Sequence, residues 1–401
     1  MTGWPTATIG GACRVFSGGT PSKGNADYWR GPIPWVSAKD LKADRIFDAE
    51  LHISQQACEE SAAKMASIGS LLMLVRGMGL ANGIQVGEVT SPVAFNQDLR
   101  AIVPPPTVDS RFLLLALRYS LADGGKGVLS SAAHGTLKID ADALRQVEFP
   151  VPPLQEQARI VAILDEAFEG IATAKANAEK NLQNVRELAD ALGEACFNQH
   201  VDDSFLSREL ATLCELIVDC EHKTAPTQEH GYPSIRTPNI GKGRLILDDV
   251  NRVSEETYTA WTRRAVPLPG DLILAREAPA GNVAVVPEGI QVCLGQRTVL
   301  IRPWRAVFEP EYLAHLLLQR SSRRRLLAHS RGATVQHVNM KDIRAFIIAS
   351  VPSLDTQRKV VARLAEIDQA CELLEATQRQ KLTALDELKK SLLHQAFTGA
   401  L

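Results

Sequence analysis

The stretch VPPLQEQARIVAILDE, from Val151 to Glu166, has a near copy in VPSLDTQRKVVARLAE, from Val351 to Glu366. The two stretches begin 200 residues apart in a chain of 401 residues. Proline, leucine and glutamine occupy the same places in both, and the alignment needs no gap. A repeat with a period of half the chain predicts two copies of one structural unit.

The similarity continues on both sides of these stretches. Toward the C terminus the 200-residue offset still holds, so that Glu187-Leu188 matches Glu387-Leu388. Toward the N terminus the similarity is fainter, and we predict that each copy is a variable globular part followed by a more similar tail. The fainter pairs are Arg76 with Arg276, Asn82 with Asn282 and, at an offset of 199, Gln97 with Gln296.

Each tail carries apolar residues at three-four spacing, which is typical of a long helix with an apolar seam. A proline precedes each tail, where the start of a helix tolerates it. A lone helix of about 40 residues would leave such a seam in water, so we predict that the two tails pack on each other as an antiparallel coiled coil. The residues predicted for the seam and for subunit contacts are Leu154, Val161, Leu164, Phe168, Leu182, Leu192, Leu354, Val361, Leu364, Leu382, Leu385 and Leu392.

The globular parts are predicted to be mixed α/β. Short apolar runs bounded by Gly and Pro, such as Leu71–Val75, Leu99–Val103, Asp271–Ala275 and Val299–Ile301, are strand-like. Two further runs, Phe112–Ser120 and Tyr312–Gln319, predict short helices. The predicted order is a globular domain at 1–150, a helix at 151–200, a second globular domain at 201–350 and a second helix at 351–401.

Composition narrows the class of protein. The chain is 45% hydrophobic, which is normal for a packed domain, and no run of about 18 apolar residues predicts a membrane span. The start has no secretory pattern, and seven cysteines without a C-x-x-C pair fit a reducing compartment, so we expect a cytoplasmic protein. A net charge of -2 argues against coating nucleic acid by bulk charge but permits a local basic face.

The usual catalytic motifs are missing. There is no phosphate-binding loop of the G-x-x-x-x-G-K-[ST] type, no H-E-x-x-H helix and no G-x-S-x-G elbow. The turn Ser17–Thr20 could cradle a phosphate, but a structural turn is the better interpretation. His222 and His230 near Asp219 predict a metal site only weakly, and we expect ordinary polar loop residues and no metal.

A basic cluster in the second half is more informative. Arg320, Arg323, Arg324 and Arg325 are followed by Arg331, and then by residues of the kinds that bind bases. Arginine can bind guanine through two hydrogen bonds, and asparagine or glutamine can do so with adenine. A solvated helix face is the equally weighted alternative. The corresponding place in the first half, residues 130–138, carries far less charge.

Three stretches together resemble a known family. FSGGTPSK at Phe16–Lys23, followed by IPWVSAKDL at Ile33–Leu41, resembles the start of a target recognition domain in the specificity subunits of type I restriction-modification systems. VPPLQEQ at Val151–Gln157 is similar to the start of the first spacer helix in that family. The C-terminal LHQAFTGAL, Leu393–Leu401, is also similar. The order of parts matches as well, and the resemblance covers essentially the whole chain.

The resemblance implies a subunit without a catalytic centre. It implies that each recognition domain reads one part of a two-part, asymmetric site in double-stranded DNA. The implied partners are two methyltransferase subunits and, through that core, restriction subunits, with S-adenosylmethionine, ATP and Mg²⁺ bound by the partners and no cofactor here. The second domain opens differently, with Val218–Pro226 in place of Gly-Gly-Thr-Pro, which implies a different half-site. A two-domain scaffold that does not bind DNA is the alternative.

The predicted DNA contacts are residues of the types that bind phosphates and base edges. In the first domain we predict Lys23, Arg76 and Asn82. In the second domain we predict Arg236, Arg276, Asn282, Gln296, Arg297, Arg323, Arg324 and Arg331. If Arg76 and Arg276 are equivalent, both face DNA or both are structural, and a paired arginine at a strand end is the structural alternative.

Overall fold

The computed structural model describes residues 3–122, 127–131, 137–199, 206–328 and 337–401. The chain forms two compact units, one of residues 1–178 with 380–401 and the other of residues 179–379. Each unit contains one globular α/β part and a portion of both long helices. Within the described ranges, no helix is long and apolar enough to cross a membrane.

The globular part of the first unit is built on two sheets. The larger has five strands in the spatial order Arg14–Ser17, Leu99–Val103, Leu71–Leu74, Val86–Val89 and Arg45–Ile46. The smaller has four strands in the order Leu51–Ile53, Ile33–Val36, Val93–Phe95 and Lys64–Ala66. Every residue of the central strand Leu71–Leu74 is buried, as expected for a strand covered on both faces.

The second unit repeats this plan. Its five-stranded sheet has the order Cys214–Asp219, Thr298–Pro303, Leu272–Ala275, Val283–Val285 and Gly243–Arg244. Its smaller sheet has three strands in the order Arg252–Val253, Tyr232–Ile235 and Cys293–Leu294. The predicted α/β class, the internal repeat and the four predicted strands are confirmed; Leu99–Val103 matches at both ends, and the other three strands differ by one or two residues at an end.

Short elements complete both units. Three antiparallel strand pairs join Thr6–Thr8 to Glu148–Pro150, Leu129–Ser131 to Leu137–Ile139, and Arg208–Glu209 to Ile347–Ile348. The α-helices outside the two tails are Ile9–Ala12, Gln55–Glu60, Ser110–Ser120, Ala141–Arg145, Glu255–Trp261, Pro310–Leu318, Arg320–Leu327 and Met340–Arg344. The 3₁₀ turns within the described ranges are Ala26–Trp29, Ala38–Asp40, Met78–Asn82, Leu210–Leu213 and Thr237–Asn239.

The two tails are helices of equal length. The first long helix is Leu154–Asn198 and the second long helix is Leu354–Thr398, each of 45 residues. In the first unit they run antiparallel, because Lys175 pairs with Asp386 while Arg159 donates to the carbonyl of Leu401 at 2.8 Å. In the second unit Arg186 pairs with Glu375 at 3.1 Å.

The buried face of each helix differs from part of the predicted seam. Leu164 and Leu364 are buried, whereas Leu154 and Leu192 are 50% and 40% exposed and stay predictions as subunit contacts. The start of each long helix instead buries Ile160 and Val360, which belong to the hydrophobic cores of their globular parts. The heptad pattern predicts only the face that packs on another helix. The first turns of each long helix pack on the sheets and helices of a globular part instead.

The repeat is not in constant register inside the globular parts. The N–H of Val75 donates to the carbonyl of Asp98, and the carbonyl of Val75 accepts from the N–H of Ile139. In the second copy, Arg276 donates in the same way to the carbonyl of Arg297 and accepts from the N–H of Val338. Arg276 is therefore equivalent to Val75, and the predicted equivalence of Arg76 with Arg276 is wrong by one residue. Likewise Leu74 N donates to Gln85 O and Ala275 N to Asn282 O, so Asn282 corresponds to Gln85 and not to Asn82.

Candidate nucleic-acid interface

Loops gather at one end of the five-stranded sheet in each unit. Strand Leu71–Leu74 ends where its antiparallel neighbours Leu99–Val103 and Val86–Val89 begin, and Arg14–Ser17 ends at the same edge. We call the loops at this edge the first loop end, which comprises residues 17–24, 37–43, 75–85, 96–98 and 137–138. The second loop end is built in the same way and comprises residues 219–224, 236–242, 276–282, 295–297 and 337–338.

We call the globular part of each unit a reader. The predicted DNA contacts of the first reader lie in loops of the first loop end. Lys23 is in an exposed turn, and Arg76 is exposed directly after the central strand, bridged through its backbone to Lys138. Asn82 is the last residue of the short helix Met78–Asn82. Arg76 and Asn82 thus lie in the loop after the central strand and Lys23 in the loop after Arg14–Ser17, and all three stay predictions as DNA contacts.

Arg276 lies at the second loop end but points inward. It is 9% exposed, and its Nη1 donates to Asp219 Oδ2 at 2.8 Å. Its Nε donates to the carbonyl of Val338 at 2.9 Å, and its Nη2 lies 2.8 Å from His337 Nε2. The guanidinium thus joins three separate loops, which is the arrangement expected of a structural arginine.

His337 extends this cluster toward the surface. Its Nδ1 lies 3.2 Å from Glu277 Oε1, and Glu277 also pairs with Arg297. Because arginine can only donate, Nε2 of His337 accepts from Arg276 and Nδ1–H donates to Glu277 when the ring is neutral. The outermost member, Arg297, has a side chain that is 61% exposed, so it can reach a ligand while Arg276 cannot do so without moving.

Four of the remaining predicted residues of the second reader, Arg236, Asn282, Gln296 and Arg323, lie around the same edge. Arg236 is exposed, Gln296 is half-buried, and Asn282 donates from Nδ2 to the carbonyl of Ile240 at 3.0 Å. Arg323 donates from Nη2 to the carbonyl of Ala280 at 3.0 Å, which fixes it against the loop that follows Arg276, while Arg324 is exposed. Arg331 lies outside the described residues.

The turn at Ser17–Thr20 is packed against backbone. The N–H of Gly19 donates to Phe95 O at 3.0 Å, and its carbonyl accepts from Trp35 Nε1 at 3.0 Å. A Cβ on Gly19 would lie 2.1 Å from Ala62 O, a distance that no side chain tolerates. These contacts support the structural turn over a phosphate cradle, since the N–H of Gly19 already has a partner and the turn is packed closely against other backbone.

Gly19→Ala is expected to destabilise the first unit by about 2–3 kcal/mol, because a backbone carbonyl cannot yield to the new methyl group. The measurement is chemical denaturation of the full chain with hydrogen exchange of peptides around Trp35. Gly24→Ala is the matched control in the same loop, since its Cβ would meet only Ser22 Oγ at 3.7 Å. Equal stability of the two variants would contradict the close approach at Gly19.

Sequence reasoning missed several cations of the first loop end. Lys39, Lys42 and Lys138 are all exposed there. Their signal was present in the sequence, since Lys39 stands in the stretch IPWVSAKDL that resembles a recognition domain, but one lysine in a loop is too common to select. Among the residues that the structure describes, no group of three or more His, Cys, Asp and Glu side chains could hold a metal ion.

An identical glutamine joins each globular part to its long helix. Gln157 is fully buried: its Oε1 accepts from Asp109 N at 2.8 Å and its Nε2 donates to the carbonyls of Thr107 and Pro152 at 3.0 and 2.7 Å. Gln357 repeats all three bonds, with Glu309, Val307 and Pro352 at 2.9, 2.8 and 2.8 Å. We call this arrangement the glutamine lock.

In the first unit, ion pairs also connect the globular part to the first long helix. Asp44 accepts from Arg118 at 2.6 Å and from Arg111 at 2.9 Å, and Arg111 also pairs with Asp165 of the first long helix at 2.7 Å. We call these four residues the ion joint. Burial alone would raise the pKa of Asp44, but the hydrogen bonds and charges of Arg118 and Arg111 outweigh it and lower that pKa to about 2.

The ion joint predicts an acid-sensitive first unit. The folded pKa of Asp44 is depressed, so its contribution to stability is present above the unfolded value near ~4 and is lost as pH falls toward ~2. Asp44→Asn is expected to lower stability at pH 7 and to flatten the stability profile between about pH 4 and 2. Denaturation midpoints measured over this range test this, and a profile as steep as that of the unaltered chain would contradict the assignment.

The duplicated fold can be compared with known proteins. The family model described as "Type I restriction modification DNA specificity domain" matches residues 1–183 and 213–384. The chain is 30% identical over 162 residues to the specificity subunit of the type I restriction enzyme EcoR124I/EcoR124II of Escherichia coli, and this alignment covers 39% of each protein. It is 22% identical over 339 residues to the EcoBI specificity subunit of Escherichia coli, covering 78% of this chain and 70% of the relative.

Solved structures agree on the fold. A chain from a structure of the complex assembly and conformational transition of a type I R-M system aligns with a TM-score of 0.75 at 19% identity, covering 100% of this chain and 99% of the other. The HsdS subunit of Thermoanaerobacter tengcongensis aligns with a TM-score of 0.59 at 18% identity, covering 100% and 98%. Identities this low support the fold alone.

The matched residues make up most of the chain, so it belongs to the family of type I restriction-modification DNA specificity domains. Membership implies that DNA sequence specificity is its role, and the specificity subunits of such systems are not themselves catalytic. The alignment to the EcoR124I/EcoR124II subunit spans well under half of that relative's length, so the activities of whole complexes remain proposals for this chain.

Proposed function

We propose that this chain binds a two-part, asymmetric DNA site, with one half-site read at each loop end. The observation that carries this proposal is the repeated five-stranded sheet, whose equivalent ends present unlike side chains. The first loop end offers Lys23, Arg76 and exposed lysines, while the second offers Arg236, Gln296 and Arg297. Two equivalent sheets whose loops carry different side chains are what the recognition of two different DNA sequences requires.

The two long helices suit the role of a spacer. Because a continuous helix has a fixed rise of about 1.5 Å per residue, it can set the number of base pairs between two half-sites. Exposed leucines along the helices, such as Leu188, Leu192, Leu373 and Leu388, offer an apolar surface to partner helices. We propose that two methyltransferase subunits bind there and that restriction subunits join through them, with S-adenosylmethionine, ATP and Mg²⁺ held by these partners.

Selection from a pool of randomised DNA duplexes tests the proposal. The full chain, assembled with its methyltransferase subunits, is expected to select two short sequences separated by a constant gap. Replacing residues 1–150 with another reader is expected to change only one of them. Selection of a single contiguous sequence, or of none, would sink the proposal.

The dependence of binding on salt separates a DNA reader from a scaffold that does not bind DNA. Each phosphate neutralised by Lys or Arg releases counterions, so affinity is expected to fall steeply as salt rises. Binding that is weak and indifferent to salt would favour the scaffold. Incubation of the chain alone with DNA, S-adenosylmethionine and ATP should give no turnover.

A further inference from the structure

One segment of the first loop end carries cations and is anchored at its far end. Residues 37–43 start beside Asn96, whose N–H donates to Val36 O at 3.0 Å, and run along the sheet edge to Asp44. The segment carries Lys39 and Lys42, which are exposed and form no ion pair with any residue in the described part of the chain. Where this segment lies decides where two positive charges meet DNA.

The far end of the segment is held through Asp44. Its backbone carbonyl accepts from Glu88 N at 2.7 Å, and its carboxylate is enclosed by Arg111 and Arg118 of the helix Ser110–Ser120. Both arginine side chains are mostly buried, at 16% and 25% exposure. Such partly buried charges, joined by several hydrogen bonds, hold geometry better than an exposed pair does.

The ion joint then continues onto the first long helix. Arg111 donates from Nε and Nη2 to Asp165 at 3.0 and 2.7 Å while its Nη1 donates to Asp44 at 2.9 Å. A single guanidinium therefore connects the cation-bearing segment with the helix that would space the two half-sites. Arginine suits this place because its planar fork binds two carboxylates in fixed directions.

We infer that Arg111 and Asp165 are positioning residues that set where the first reader meets its half-site relative to the spacer helix. This inference rests on the proposed function. A reader whose cations are fixed to the helix accepts one gap length, whereas a reader that can shift on the helix tolerates neighbouring gap lengths. The ion joint is thus a determinant of gap-length specificity.

The second copy holds its reader to the helix differently. The N–H of Asp109 and that of Glu309 make equivalent bonds in the glutamine lock, so Glu311 stands in the place of Arg111. The gap-free offset of 200 residues along the long helices puts Ala365 in the place of Asp165. Its nearest counterpart is the pair Arg358–Glu309, in which the arginine is 59% exposed. An exposed pair of this kind contributes little, so the two readers differ in how firmly charges hold them.

The test compares gap discrimination among variants of the full chain assembled with methyltransferase subunits. The probes are the duplex that the unaltered chain selects from a randomised pool and two derivatives whose gap is one base pair longer or shorter. Asp165→Ala copies the residue of the second copy, and Asp165→Glu is the conservative variant. Arg358→Ala is the matched control at the second reader, and thermal midpoints are recorded for all.

The unaltered chain is expected to prefer its own gap by about 10-fold or more, a preference of the size that one altered base pair causes. Asp165→Ala should reduce this preference to roughly 3-fold or less, and Asp165→Glu should restore it. Full discrimination by Asp165→Ala, with or without a lower thermal midpoint, overturns the inference, as does an equal loss in Arg358→Ala. If the unaltered chain selects no two-part site, the proposed function itself fails.

Discussion

Gln157→Leu is expected to destabilise the first unit by about 3–6 kcal/mol. Leucine fills the space but leaves without partners the N–H of Asp109 and the carbonyl of Thr107, which are partly buried, and the carbonyl of Pro152, which is buried. Each such group costs about 1–3 kcal/mol. Hydrogen exchange of the helix Ser110–Ser120 reports the loss within the first unit.

The repeat supplies matched controls for this prediction. Gln357→Leu should weaken the second unit by a similar amount and leave exchange in the helix Ser110–Ser120 unchanged. Gln183→Leu should have almost no effect, since Gln183 is exposed and bonds only to Glu187 one turn along the helix. A cost below about 1 kcal/mol for Gln157→Leu would show that the lock is not a stabilising contact.

The variant Gln157→Glu adds a pH signature. Its carboxylate would face two carbonyl oxygens in a buried site, so burial and repulsion should raise the pKa of the new side chain. The charged form is disfavoured in the folded state, which means that the variant loses stability relative to the unaltered chain as pH rises above the unfolded value near ~4. The difference in free energy of unfolding between the two chains should therefore be smaller at pH 4 than at pH 7.

Arg276→Ala is expected to cost about 3–5 kcal/mol, because it leaves the carboxylate of Asp219 without its main partner in a site that is 17% exposed. Chemical denaturation with exchange of peptides from the second unit measures this loss. Arg276→Lys should recover only part of it, since lysine keeps the charge but cannot bond to Asp219, Val338 and His337 together.

Arg297→Ala provides the contrast at the same loop end. The Arg297 side chain is 61% exposed, and Glu277 keeps His337 as a second partner, so stability should change by about 1 kcal/mol or less. DNA affinity should nevertheless fall in both variants, by loss of fold around Arg276 and by loss of a contact at Arg297. If Arg276→Ala weakened DNA binding without lowering stability, the assignment of Arg276 as a structural residue would be wrong.

The fold could be predicted because its strongest signals are regular. The gap-free repeat around Gln157 and Gln357 and the three-four spacing of the tails predict two similar units joined by two helices, and the structure confirms this. Both signals depend on periodicity, which survives substitution at many single positions. The glutamine lock itself stood in the opening sequence, but nothing in a sequence shows that an amide is buried.

The candidate site was less predictable because its contacts join distant segments. Arg276 meets Asp219 at a separation of 57 residues and Val338 at 62, and no local pattern reports such pairs. The sequence also fails to give the residue-by-residue correspondence between the two readers. The offset between equivalent residues is 201 at Arg276, 197 at Asn282 and 199 at Arg297, and weak similarity cannot place the insertions and deletions behind these changes.

The glutamine lock has a consequence for inheritance. Because both copies attach their reader through the same three bonds, the stretch around Pro152 and the stretch around Pro352 are equivalent sockets. Genetic recombination at either stretch would deliver a foreign reader already fitted to its helix, provided that it brings a backbone N–H and a carbonyl to the place of Asp109 and Thr107. A lineage could thus acquire a new DNA specificity by exchanging half a gene, with no change in the contact between the reader and its long helix.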